Sequence, residues 1–249
     1  MHAKALAIAF VVLSLFPTCL HAQAPVDPAT VEALRSMGAY LQTLKRFRIV
    51  HELTGERVLR DGQKIQHTAR AELSVARPDK LRVRMMGARG ERELVYDGHT
   101  VTLYTPAQNF YSTIPLSGTI GELVARLEEK YAVDLPLADV FRWGTAEAPL
   151  DHIESAMSAG QEFVGKDLCD HYAFRQGSLD WQIWIVAGPK PLPRKVVITN
   201  RADEARPQSV SLITWNLDAK FEDSIFRFTP PKGASKVDVV PRKAKQEPK

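Results

Sequence analysis

The sequence predicts an α+β protein: a curved, open antiparallel half-barrel of about eleven strands, with helices as a lid. Three observations carry that reading. Strand-like alternation fills residues 47–115 and returns over residues 161–228, with helix-forming sequence grouped between them. Runs of strands with grouped helices argue against alternating βαβ units. About eleven strands also make a sheet too wide to stay flat, so it should curl and leave one side open for the helices to close.

Taken in order, Asp27-Pro28 opens the first helix, an N-cap followed by proline at the first helical position. Val31, Leu34, Leu41 and Leu44 then recur at helical spacing, with Met37 and Tyr40 filling the stripe. Residues 47–60 read as a strand, Asp61-Gly62 as its turn and residues 64–75 as the return. Gln66, Thr68, Arg70 and Glu72 leave one face of that return wet. In the next strand Leu81, Val83 and Met85 alternate with Lys80, Arg82 and Arg84. A break at residues 87–90, a hairpin at Asp97-Gly98 and a turn at residues 106–109 set off three further strands. Thr119 caps a helix carrying Leu123, Val124, Leu127 and Tyr131. Pro136 opens a shorter helical piece over residues 137–143, and a third helix is expected after Pro149, through Ile153 and Met157. Strands are expected again at residues 161–164, 168–175, 179–186, 194–200, 209–217 and 225–228.

Lys4 precedes an apolar run over residues 5–16, too short for a good membrane span and suited to the core of a signal peptide. Ala22 and Ala24 mark cleavage points, so residues 1–24 read as an export leader, residues 25–240 as one domain and residues 241–249 as a basic tail. Cys19 invites a lipid-anchored reading, but Phe16, Pro17 and Thr18 before it fit a lipidation site badly, which favours a soluble exported protein. Such a mature chain keeps only Cys169 and forms no internal disulfide. The whole chain carries 33 basic and 29 acidic residues, a net charge of +4. Lys4 and the stretch from Lys232 onward account for more than that excess, so the body is slightly acidic. This argues against a nucleic-acid partner. The tail is either solvated or a contact for an anionic membrane surface.

No metal-binding helix, nucleophile elbow, phosphate loop or redox cysteine pair is present. Cys169-Asp170-His171 is the one constellation worth weighing, because positions 169 and 171 share a strand face. Two ligands without further company read more simply as a buried thiol and a hydrogen-bonded histidine. Trp181 and Trp184 fall on opposite faces of their strand and cannot form one platform. Arg82, Arg84, Arg89 and Arg92 read as the wet face of the central sheet. Arg77 differs, standing before Pro78 at a corner where its five donors can reach carbonyls of a neighbouring helix or loop. No enzyme, cofactor or metal is expected.

The segments Arg77-Pro78-Asp79-Lys80-Leu81-Arg82 and Leu94-Val95-Tyr96-Asp97-Gly98, continuing to Thr100-Val101 and Leu103-Tyr104, resemble the central hairpins of the periplasmic lipoprotein carriers LolA and LolB. Pro191-Leu192-Pro193-Arg194 and Phe226-Arg227-Phe228-Thr229-Pro230-Pro231 are similar to that superfamily's closing strands. More closely, Gly62-Gln63-Lys64, Cys169-Asp170-His171-Tyr172 and Asp180-Trp181-Gln182-Ile183-Trp184 resemble a family of predicted periplasmic proteins within it. The resemblance implies a periplasmic half-barrel that binds a lipid, a lipoprotein acyl chain or another apolar ligand, or else an envelope protein partner. It also implies that Arg77 matches the arginine that ties the carriers' lid shut. The Cys-Asp-His segment and the basic tail depart from the carriers. Strand parity then offers Leu81, Val83, Met85, Leu94, Tyr96, Val101, Leu103, Trp181, Ile183 and Ile185 as positions lining the cavity, or equally as a packed core.

Overall fold

The computed structural model describes residues 25–239. The leader, its Cys19 and the tail read from the sequence lie outside the described residues. Helix α1 (Pro28–Thr43) precedes six strands: β1 (Arg46–Val58), β2 (Lys64–Ala76), β3 (Lys80–Gly87), β4 (Gly90–Tyr96), β5 (Thr100–Thr105) and β6 (Phe110–Pro115). Helices α2 (Ile120–Tyr131) and α3 (Asp139–Arg142) follow. Five strands complete the body: β7 (Ile153–Val164), β8 (Asp167–Gln176), β9 (Leu179–Val186), β10 (Pro193–Asn200) and β11 (Gln208–Asn216). A 3-10 turn at Asp223–Phe226 leads to β12 (Ser235–Lys236).

All twelve strands form one sheet in the order β12-β6-β5-β4-β3-β2-β1-β11-β10-β9-β8-β7. It consists of two meanders, β1 to β6 and β7 to β11, joined where β1 pairs antiparallel with β11 in the register Ile49↔Trp215 and Leu53↔Ser211. The first meander ends near one edge of the sheet and the second begins at the other. The connection over residues 116–152, which holds α2 and α3, must therefore cross the whole width of the sheet. Topology, as much as amphipathicity, makes this segment a lid.

The sheet is open, antiparallel except where β12 lies parallel on β6, and curled. Ten strands spaced by about 4.8 Å would span more than 40 Å if flat, whereas a helix is only about 10 Å across. Yet one face is buried under three helices from Val101 on β5 to Ala156 on β7. Only a concave face brings so many strands into reach. One half of the core packs Leu81, Val83, Leu94, Tyr96 and Val101 beneath Leu123, Val124 and Leu127 of α2 and Phe141 of α3. In the other half, Leu34, Met37 and Leu41 of α1 lie on Phe174, Trp181, Ile183 and Ile185, with Trp143 beside them.

Local signals hold the helices in place. The Asp27 side chain accepts the amide of Ala29 at 3.0 Å, and Pro28 occupies the first turn. Thr119 and Glu122 form a capping box at the start of α2. Gly38 lets α1 approach the loop after α3 closely: a Cβ there would come within 2.5 Å of the Gly144 amide nitrogen. Among the described residues no helix is long and apolar enough to cross a membrane.

The outer face is wet where the sequence predicts it, with Arg82 on Glu93 at 2.6 Å and Arg84 on Glu91 at 2.8 Å. Over β4 to β6 it is covered by the C-terminal segment, which buries Phe226 and sets the Phe228 ring against Tyr104 and Tyr111. Three elements differ from expectation, one of them the short parallel β12, which the sequence reading did not include. Residues 153–160 form the first part of β7 rather than a third helix, and residues 223–226 form a 3-10 turn rather than a strand. In β7, register shifts after Ile153 and Ser158 break the strand alternation, and the four-residue spacing of Ile153 and Met157 fits a helix as well as a strand. In the 3-10 turn, Asp223 is drawn to Lys80 at 2.6 Å and Arg46 at 3.0 Å, and that pull folds the segment back onto the sheet.

Candidate functional site

Odd-numbered residues of β1, β2 and β3 face the trough, as Ile49, Leu73 and Val83 show by packing under α2 and α3. Toward the β1–β2 and β3–β4 turns the helices run out. The roof there narrows to Leu135 and Pro136 in the link between α2 and α3, and beyond it the trough is open. The floor at this end is made of small residues: Ala69, Ala71 and Gly87 on adjacent strands, with Ala69 opposite Gly87. β2 also runs past the end of its pairing with β3, so Ile65 and His67 project as an overhanging wall. The result is a cleft of about 690 Å³, mostly apolar, walled by Leu53, Ile65, Ala69, Met85 and Leu135.

Its polar groups sit at two levels. On the floor His51 is 6 % exposed, with Nε2 2.9 Å from the Ser211 hydroxyl, and burial pushes the imidazole pKa below its ordinary value. The ring is therefore neutral at neutral pH. At the mouth stand Arg57, Arg89 and Arg92, with Asp134 the one carboxylate among the lining residues.

All ten cavity positions named from parity lie on the trough side of the sheet. Leu81, Val83, Leu94, Tyr96 and Val101 are fully covered in the α2–α3 half of the core, with Leu103 packed at its margin. Trp181, Ile183 and Ile185 are covered in the α1 half. Only Met85 reaches the open cleft. The sequence reading missed Leu53, Ile65, Ala69 and His51, although each shares the parity of a core residue on its own strand. It also put Arg92 on the wet face. Arg92 pairs with Met85 and has the parity of Leu94 and Tyr96, which places it on the trough side.

Arg77 lies at the opposite end of the trough, between the two helical elements. One terminal nitrogen donates to Gln42 Oε1 on α1 at 3.4 Å and the other to the Val140 carbonyl on α3 at 3.5 Å. Its guanidinium lies 5.8 Å from the Phe141 ring centroid, and its buried Nε has no hydrogen-bond partner among the described residues. Burial lowers its pKa from the ordinary value. This cation is held by two long bonds at the seam of the lid.

Cys169 and His171 share the outer face, away from the trough. The thiol is fully buried, donates to the Asp167 carbonyl at 3.5 Å, and has its pKa raised chiefly by burial, so it is a poor nucleophile. His171 stacks on Trp184 at 3.9 Å and has Nε2 3.0 Å from Gln182 Oε1. Among the described residues no group of three His, Cys, Asp or Glu side chains is placed to hold a metal ion.

A family model described as "Predicted periplasmic protein (DUF2092)" matches residues 30–240. No curated protein sequence matches the chain. Among solved structures, the chain is similar to an uncharacterized conserved protein from Thermus thermophilus, at 12% identity and a TM-score of 0.47, over 84% of this chain and 99% of that one. It is similar to the lipoprotein LppX of Mycobacterium tuberculosis at 11% identity and a TM-score of 0.48, over 76% and 96%. A LolA superfamily protein from Nitrosomonas europaea shows 10% identity and a TM-score of 0.37, over 80% and 97%.

Proposed function

Starting from the chain's membership of the DUF2092 family of predicted periplasmic proteins, we propose that it binds an apolar ligand, a lipid or the acyl chain of a lipoprotein, in the uncovered end of its trough. The observation that carries this reading is the cleft of about 690 Å³, which is apolar, continuous with the core face and floored by small residues. That volume falls within the range of about 300–1,000 Å³ usual for small-molecule sites. The polar groups nearby do not make up a catalytic set: His51 Nε2 lies 2.9 Å from the Ser211 hydroxyl, but no carboxylate among the described residues orients its ring and Ser211 is not among the residues lining the cleft, while Cys169 faces the other way. The protein works as a binder and not as an enzyme.

Energetics shape the role. Each buried CH₂ contributes about 0.8 kcal/mol, so a palmitoyl chain fully enclosed gains up to about 12 kcal/mol. A carrier needs an opposing contribution if it is to release such cargo, and closure of the lid supplies one.

Gly87 provides the test. A Cβ at this position meets nothing closer than the Ala69 Cβ at 3.7 Å, so a side chain there enters the cleft without displacing backbone. Gly87→Leu is expected to keep its thermal midpoint within a few degrees and to lose most uptake of a fluorescent fatty acid. Native mass spectrometry of the purified wild type should show co-purifying apolar cargo. A wild type that arrives empty and takes up no chain would defeat the proposal.

A further inference from the structure

We infer that the ligand is an anionic amphiphile, with its acyl chain in the trough and its carboxylate or phosphate head held at the mouth by Arg57, Arg89 and Arg92. The inference rests on the apolar-ligand reading above and adds the headgroup.

Many of the body's arginines meet a carboxylate. On the outer face Arg70 meets Glu52 and Glu72, Arg82 meets Glu93, and Arg84 meets Glu91. Elsewhere Arg46 meets Asp223, Arg175 meets Asp180 and Arg142 meets Glu128. Arg48, Arg60, Arg206 and Arg227 lack such a partner among the described residues, but they are scattered and none lines the cleft, whereas at the mouth three unpaired cations converge. Arg57, at the end of β1, Arg89, in the β3–β4 turn, and Arg92, on β4, form no hydrogen bond or ion pair with any described residue. All three line the same cleft. Against them stands one lining carboxylate, Asp134, so the mouth holds an excess of positive charge on a slightly acidic body.

Position matters as much as charge. Arg92 lies directly opposite Met85, an apolar wall residue, and has the trough-side parity of Leu94. Arg57 lies opposite Ile65. Each of these two guanidiniums therefore adjoins an apolar wall, which is the arrangement an amphiphile presents in reverse. A guanidinium offers paired donors that match carboxylate and phosphate oxygens, and such charge-assisted bonds exceed neutral ones in strength. His67 does not share the task. Its ring folds over Gly55, where a Cβ would come within 2.7 Å of it.

The test uses delipidated wild type and the triple variant Arg57→Gln, Arg89→Gln, Arg92→Gln, with circular dichroism confirming that both are folded. Each is titrated with palmitate, lysophosphatidate and the neutral palmityl alcohol. The wild type is expected to prefer the anions by about tenfold or more, the scale of a hydrogen bond to a charged group. The triple variant should lose that preference while binding the alcohol as before. Stronger binding of palmitate identifies a fatty acid head, and of lysophosphatidate a phosphate head; either supports the inference. Equal affinities in the wild type, or a preference that survives in the triple variant, overturn the headgroup assignment and leave the trough intact. Failure of all three ligands overturns the apolar-ligand reading itself.

Discussion

At the scale of single residues, two buried groups carry consequences that can be measured. Arg77 joins α1 to α3 through two bonds near the upper limit of hydrogen-bond length, while its Nε goes unsatisfied among the described residues. Such a contact favours the closed lid only modestly, about 1 kcal/mol for each bond. Arg77→Leu keeps a side chain against Phe141 and removes the polar restraint. If closure opposes cargo, the variant should hold a bound fatty acid longer, with release slowed by about fivefold or more. An unchanged release rate would leave Arg77 no part in closure. His51 is a different case. Its pKa is depressed by burial from the ordinary 6.5, so above that pH the folded and unfolded chains both keep it neutral. Below it, the unfolded chain takes up a proton that the folded protein resists, and stability falls as pH drops toward the folded pKa. The urea midpoint should therefore decline between about pH 7 and pH 5 by an amount that shrinks in His51→Gln, with a slope of up to about 1.4 kcal/mol per pH unit. A wild type and variant with parallel profiles would contradict this.

Among the elements, α2 shows how a local signal fixes a large part of the lid. Its capping box ties Thr119 to Glu122 in both directions, and its buried face, Ile120, Leu123, Val124 and Leu127, roofs half the core. Thr119→Ala should cost about 1 kcal/mol of stability, read as a lowered urea midpoint with unchanged slope. Elements with such punctuation were legible in the sequence. α1 announced itself through Asp27-Pro28, and β9 was bounded as residues 179–186, as the structure has it. The first part of β7 was not legible. Its side chains from Ser155 to Gln161 are mostly small or polar, two register shifts scramble its alternation, and its strand character comes from pairing with β8. The site was legible in part, for a related reason. Parity groups the ten residues on common strand faces, but it says neither which face is concave nor where a helix ends above a strand. The division between covered core and open cleft depends on Leu135 and Pro136, whose place over the sheet is a matter of tertiary structure.

For the whole molecule, the decisive relation is between chain order and sheet order. The seam β1–β11 joins residues about as far apart in sequence as any that pair in the sheet, such as Arg48 and Asn216. Loop-closure entropy must be met before that seam contributes, so the curl that creates the trough is a late, nonlocal product of folding. No window of the sequence contains it.

The strap of residues 116–152 leaves the sheet at β6 and rejoins it at β7, on opposite rims. A flap fastened along one side can swing like a trapdoor; a bowstring fastened at both tips can only slacken. If the cleft takes an acyl chain as proposed, long cargo would slide in lengthwise from the hairpin end, tail leading, and leave the way it came. Loading and unloading would share a single doorway, and a receiving partner would have to draw the guest out head first.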